Sequence, residues 1–194
     1  MNAKEKILKA ITANKPSLQP LPDIHLENVI TYTNIYSHFK DVLESIGGKV
    51  IEPDDIETVK NEIEQLKRDE KIIVNTIPEL GEIYPDLEML TPHALAAADK
   101  AYIKATVGVA ENGAVWLYET EMKNRLLPFI CQHLVVLLDR KNIVATMHQA
   151  YLRINTANEG FGVFIAGPSK TADIEQSLVI GAHGPKSMTI YMTS

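Results

Sequence analysis

The run Leu134-Val135-Val136-Leu137-Leu138 constrains the fold more than any other feature of this chain. Five apolar residues in succession show no in–out alternation, so an extended strand here must be buried on both faces. Such a strand belongs at the centre of a covered sheet. Lys49-Val50-Ile51, Lys71 to Asn75, Ala101 to Val109, Ala114 to Tyr118, Phe161 to Ile165 and Met188 to Met192 read as further strands. Helical periods lie between them. Ile35, Phe39, Val42, Leu43 and Ile46 share one face, with Gly47-Gly48 as a C-terminal stop. Pro53 opens a second helix, with Ile56, Val59, Ile63 and Leu66 on one side. The alternation of helix and strand predicts an α/β fold: an open, mostly parallel sheet with flanking helices.

The second half is more broken. A short helix is expected near 91–97. The strands 101–109 and 114–118 flank Glu111-Asn112-Gly113, and Asn-Gly accommodates φ > 0 in a tight hairpin. Asn142 stands where it can cap a helix carrying Val144, Met147, Tyr151 and Ile154 on one face. With 194 residues, the chain is expected to form one domain over 1–194: an N-terminal helix and extended arm in 1–30, and the α/β core in 31–194. A chain this long buries roughly 70% of its unfolded surface and needs no disulfide or metal for stability.

Composition removes several function classes. The net charge is −6, and the Lys and Arg residues are scattered, so no electrostatic footprint for nucleic acid is present. Met1 to Ala13 has no apolar stretch followed by a small-residue cleavage site, and a five-residue apolar run is far too short to span a membrane. A cytoplasmic protein is the expectation, with neither membrane nor nucleic acid as partner. The lone Cys131 excludes a disulfide framework and any iron–sulfur cluster or Cys-rich zinc site built from this chain alone. Beside an apolar run it reads as a core residue rather than a nucleophile. His25, His38, His93, His133 and His148 show no metal-ligand spacing, so no intrinsic metal or other cofactor is expected.

Three segments carry candidate chemistry. In the first, the strand ending at Ile165 runs into Gly167-Pro168-Ser169-Lys170-Thr171-Ala172-Asp173, where a helix begins with Ser169 or Thr171 as its cap. Helix starts at the carboxyl ends of strands gather unpaired N–H groups and favour an anion. Gly167 lets backbone approach closely, Ser169 and Thr171 offer hydroxyls, and Lys170 offers positive charge. The same residues also make a plain capped helix, with Asp173 and Glu175 complementing its dipole. The spacing Gly162 to Gly167 imitates a P-loop, but Pro168-Ser169 stands where Lys-Ser/Thr is required. The second segment is Glu111-Asn112-Gly113. A carboxylate on a tight turn serves as nucleophile or general base, or is simply solvated on a β-turn. The third is Gly181-Ala182-His183-Gly184-Pro185, in which His183 binds an anion or moves protons near neutral pH, or is an idle turn residue.

Taken together, Ala166-Gly167-Pro168-Ser169-Lys170-Thr171-Ala172-Asp173-Ile174-Glu175 and Val179-Ile180-Gly181-Ala182-His183-Gly184-Pro185 closely resemble the C-terminal signature of the lactate-utilisation protein C family, the LUD-domain proteins. Val109 to Ala114 and Ile143 to His148 are similar to other blocks of that family, so the resemblance covers the chain from about residue 100. The family's usual block has Arg where this chain has Lys170, and Thr-Gly-Thr where it has Asn112-Gly113-Ala114. Lys keeps the charge but loses the bidentate fork. The resemblance implies a fold of the ribose-phosphate isomerase, glucosamine-phosphate isomerase and CoA-transferase type. It also implies a part in oxidising L-lactate to pyruvate beside iron–sulfur partner proteins, with any cluster borne by a partner. On this reading Gly167, Pro168, Ser169, Lys170, Thr171, Asp173, Asn112, Gly113 and Gly184 hold a small anionic metabolite, with Glu111 and His183 as the catalytic candidates. Glu111-Asn112-Gly113 also resembles the Glu-Asn-Gly of CoA transferases, whose Glu forms an acyl anhydride. Two alternatives therefore stand beside the lactate role: a non-catalytic module binding a sugar phosphate or similar anion, and an acyl-CoA-handling enzyme using Glu111.

Overall fold

The computed structural model describes residues 2–20, 22, 25, 30–170 and 179–194. Helix α1 (Ala3–Ala13) starts on a capping box between Asn2 and Glu5 and buries none of its side chains. Helix α2 (Ile35–Ser45) is capped by Asn34 and buries Tyr36, Phe39 and Leu43. It ends as its glycines require: Gly48 N–H donates to Leu43 O and Gly47 N–H to Glu44 O, with Gly47 left-handed at φ 88°. Strand β1 (Lys49–Ile51) follows, then α3 (Ile56–Arg68) and β2 (Ile73–Asn75). Helix α3 starts later than the proline suggests, because it is the Asp55 carboxylate that accepts the Thr58 N–H.

After the short α4 (Pro92–Leu95), the apolar stretch read as one strand divides into two. Strand β3 (Lys100–Ala105) and β4 (Val107–Val109) belong to different sheets, with Thr106 at the change of partner. Strand β5 (Ala114–Tyr118), two four-residue helices α5 (Glu119–Met122) and α6 (Leu127–Ile130), and β6 (His133–Asp139) come next. Then Ile143–Val144 forms β7 rather than the start of a helix. Thr146, not Asn142, caps α7 (Met147–Arg153), through a capping box with Gln149. Helix α8 (Thr156–Glu159), β8 (Gly162–Ile165) and β9 (Ser187–Thr193) complete the order.

The main sheet has five strands in the order β1-β9-β6-β3-β2, all parallel, so the expected mostly parallel α/β architecture holds. The run Leu134–Leu138 is its central strand, as its burial demands. Val136 and Leu138 point into a core shared with Phe39 and Leu43 of α2 and Val115 and Leu117 of β5. Val135 and Leu137 face α3, where Val59 and Ile63 meet Ile73 and Tyr102. A second sheet, order β7-β4-β5-β8, lies on the α2 side, and α7 covers its other face through Ala150 beside Trp116. In this small sheet β5 runs antiparallel to both neighbours.

Helix α3 is tied to the main sheet by one carboxylate. Glu62 accepts from Lys100 Nζ at 2.7 Å, from Tyr102 OH at 3.0 Å and from Tyr191 OH, so it joins three points on two strands. Burial pushes this carboxyl upward, but the bonds from Lys100 and Tyr191, the Lys100 charge and the Tyr102 bond outweigh it and hold Glu62 below its ordinary value. At the opposite edge, Arg140 lies over the Tyr36 ring at 3.7 Å and Tyr36 OH donates to Glu52. Among the described residues no helix is long and apolar enough to cross a membrane.

A depressed folded-state value means that the unfolded chain takes up the proton first as pH falls. The stability supplied by Glu62 is therefore complete above about pH 4.3, the ordinary Glu value, and is lost as pH drops through its lower folded value. Glu62→Ala should cost about 2 kcal/mol in denaturant unfolding at pH 7, since three donors lose a charged acceptor. Glu62→Gln should flatten the loss of stability between neutral and acid pH.

Candidate functional site

The site is built from loops that leave one end of the small sheet. Val115 stands opposite Ile165, so the next pair outward is Ala114 and Ala166, and the turn 110–113 and the loop 166–170 emerge side by side. Val144 stands opposite Val109, which brings the start of α7 to the same end. The carboxyl end of α2 lies against both loops, and each contact depends on a glycine. Gly113 has φ +68°, and a Cβ there would sit 3.0 Å from Leu43 Cα. Gly167 has φ +71°, and its Cβ would sit 2.9 Å from Ile46 O. A left-handed backbone and a close backbone approach coincide at both positions, so only glycine fits. The hairpin turn around Asn112-Gly113 is tight, as expected. Gly113 alone is left-handed, its N–H donates to Val109 O, and Asn112 Oδ1 accepts the Ala114 N–H at 3.0 Å.

The exposed Glu111 is committed locally. Its N–H donates to Ala145 O, and its Oε2 accepts the Met147 N–H at 2.8 Å, which makes it the anionic cap of α7. Ser169 is half-buried and paired on both sides of its backbone: its N–H donates to Pro185 O at 3.0 Å and its C=O accepts from Gly181 N–H at 2.9 Å. Lys170 bridges Ile180 in the antiparallel sense. The segment 181–185 is thus clamped onto Ser169, and a Cβ on Gly184 would sit 3.3 Å from Ser169 Oγ. The exposed His183 rides on that clamped segment, and with Gly184 it lines a hollow of about 340 Å³ walled by Phe129, Ile130, Cys131 and Gln132. Gly167 and Pro168 are buried. Lys170 reaches the carboxyl end of α2, its Nζ 3.7 Å from where a Cβ on Gly47 would stand, so its charge offsets the negative end of that helix dipole. Thr171 and Asp173, with the expected helix start, lie outside the described residues.

The structure therefore joins Ser169, Gly184 and the His183 segment, and it sets Asn112 and Gly113 beside Gly167. Glu111 turns toward α7 instead. The location also differs from the expectation for an open parallel sheet. The segments 129–132 and 181–185 lead into β6 and β9, so the hollow sits at the amino edge of the main sheet. The cause is that β8 is the antiparallel edge of the small sheet, not a main-sheet strand.

One polar row escaped the reading of the sequence. Lys100, His133 and Ser187 are the first residues of three neighbouring strands and stand side by side in register. Each is a polar residue ahead of an apolar run, which is the only local signal available; the strand order that unites them is not a local property. Among the described residues no cluster of His, Cys, Asp or Glu is placed to hold a metal ion.

Comparison with known proteins bears on the same segments. The family profile described as LUD domain matches residues 91–193. A protein named Lactate utilization protein C from Geobacillus kaustophilus is 31% identical over 145 residues, covering 72% of this chain and 60% of that protein. Its counterpart from Geobacillus thermodenitrificans is 30% identical over 148 residues with the same coverage of 72% and 60%. Another, from Anoxybacillus flavithermus, is 36% identical over 99 residues, covering 49% of this chain and 45% of that protein. The matched part thus spans about 60% of the first two relatives. The crystal structure of a DUF162 family protein from Deinococcus radiodurans superposes with a TM-score of 0.62 at 17% identity, covering 82% of this chain and 96% of that one, which shows a shared fold.

Two outcomes follow from the geometry. Gly167→Ala should lower stability by about 1–2 kcal/mol through its left-handed backbone alone, with the Ile46 contact adding to it, as read by denaturant unfolding. Cys131 is 1% exposed, and burial pushes its thiol up to about 12. It should stay unmodified by a thiol reagent at pH 8 in the folded chain and react fully once the chain is unfolded, as counted by mass spectrometry.

Proposed function

The chain belongs to the LUD-domain family, and from that premise we propose that it serves lactate utilisation as a component of L-lactate oxidation to pyruvate, acting with iron–sulfur partner proteins. The observation that carries this reading is the meeting of two segments. The matched region, 91–193, contains both the 111–113 turn and the loop 166–170, and both lean on the carboxyl end of one helix. Relatives matched over 72% of the chain bear the name Lactate utilization protein C.

Oxidising lactate removes two electrons and two protons. A chain with one cysteine cannot bind a cluster to accept those electrons, so in this reading they pass to a partner. The part left to this chain is to hold a small anion, the substrate or product carboxylate, at Ser169 and Gly184, with His183 at the lip of the hollow to move a proton. Thr171 and Asp173 follow in sequence and belong to the same proposal. The acyl-CoA alternative asks Glu111 to release the Met147 N–H before it can attack, which makes it the less favoured reading.

Reconstitution tests the proposal. L-lactate-dependent reduction of the iron–sulfur partners should require this chain. Ser169→Ala should raise the lactate concentration needed for half-maximal rate by about fivefold, the scale of one hydrogen bond. Partners that reach their full rate without this chain overturn the proposal. A stable acyl adduct on Glu111 after incubation with acyl-CoA would replace it with the CoA reading.

A further inference from the structure

The row Lys100, His133 and Ser187 forms the rim of a cleft on the opposite face of the main sheet from the small sheet. The register places Lys100 opposite His133 and His133 opposite Ser187, one interstrand step of about 4.8 Å each. His133 Nδ1 and Ser187 Oγ are 2.8 Å apart. The cleft exists because α3 is too short to cover the whole face. It ends at Arg68, the chain reverses through Glu70 at φ +59°, and β2 begins at Ile73. The helix thus covers β2 and β3 but leaves the starts of β6 and β9 open. The cavity measures about 320 Å³, and its apolar surface comes from Leu66, Ile73 and Val135.

We propose that this cleft is a second ligand site, and that it takes a small organic carboxylate with its hydrocarbon part on Leu66, Ile73 and Val135 and its charged end at Lys71, Ser187 and His133. The charges favour an anion. Glu62 already occupies Lys100 at 2.7 Å, whereas Lys71 is only loosely paired with Asp99 at 3.6 Å and can turn to a ligand. The charges of Lys100, Lys186 and Lys71 all act on His133, and that of Asp99 opposes them. Burial, then these lysines, hold the imidazole below its ordinary value, so at neutral pH it is an uncharged hydrogen-bonding partner. A floor of Leu66, Ile73 and Val135, interrupted by Thr189, with Lys71, His133 and Ser187 gathered at one end beside Asp99, suits a monocarboxylate, since small-molecule sites combine an apolar lining with a few convergent polar groups. The site shares no residue with the Ser169–Gly184 hollow and does not depend on the lactate reading.

Three probes of six carbons each test it on the full chain: hexanoate, hexan-1-ol and hexylamine, titrated calorimetrically at pH 7. Hexanoate should bind with a Kd of about 1 mM, as expected for a ligand this small, and the alcohol and amine should not. Ser187→Ala and Lys71→Gln should each weaken hexanoate about fivefold or more, and Ser169→Ala should leave it unchanged. Lys71 is exposed, so its replacement keeps the fold even if Ser187→Ala does not. The His133 ring protons, followed by NMR, should titrate at a higher pH in saturating hexanoate, because a bound anion favours the imidazolium. Equal binding of hexan-1-ol, no binding of hexanoate, or binding indifferent to both Lys71→Gln and Ser187→Ala would overturn the proposal. Binding lost only in Ser169→Ala would assign the carboxylate to the other hollow and overturn it equally.

Discussion

The architecture follows from the need to bury β6 on both faces. Val136 and Leu138 have no exposed surface on one side, and Val135 and Leu137 are buried on the other. Each such side chain is worth roughly 1.5–3 kcal/mol when removed from water, so neither face can be left open along its middle. The chain meets this demand unevenly. On one side α2 and the whole small sheet form a continuous cover. On the other, α3 is the one long helix, helped only by Ile77 and Leu80 and anchored through Glu62. The uneven cover explains where polarity is tolerated. Lys100, His133 and Ser187 begin their strands on the thinly covered side, while the corresponding inner positions opposite, Ala101, Leu134 and Met188, are buried and apolar. The cleft is therefore a result of layer geometry before it is a site.

Features whose cause is local were legible in the sequence. Gly47-Gly48 ends α2 because two N–H groups turn back onto Leu43 and Glu44, a motif that needs a left-handed residue at that point. The five apolar residues of β6 imply a central strand whatever surrounds them. Where the cause is tertiary, the reading went astray. Nothing in Ala101 to Val109 announces a break at Thr106; the chain stays favourable to strand throughout, and what changes is its partner, from β6 to β5. Ile143-Val144 reads as helix by spacing, yet β4 captures it as a strand, and the helix start shifts to Thr146. The candidate site was legible in the same partial way. Its segments stand out through their glycines and prolines. Their meeting place does not, because it depends on β8 pairing with β5 rather than joining the main sheet.

The glycines of the matched region serve the scaffold first, and that narrows what the loop beside them can bind. Gly113 and Gly167 are required because the carboxyl end of α2 presses against their backbones. That end carries the negative pole of the helix dipole, of the order of half an elementary charge at most, because Ile46, Gly47 and Gly48 N–H groups already bind the Val42, Glu44 and Leu43 carbonyls. An anion placed between Gly167 and α2 would meet this charge at close range. Lys170, the cation that might have attracted such an anion, already lies against that helix end. The proposed site lies on the far side of the loop, where Ser169 adjoins Gly184 and a hollow opens toward Phe129 to Gln132. So the charge of Lys170 balances the scaffold, and the proposed site rests on the Ser169 hydroxyl beside Gly184.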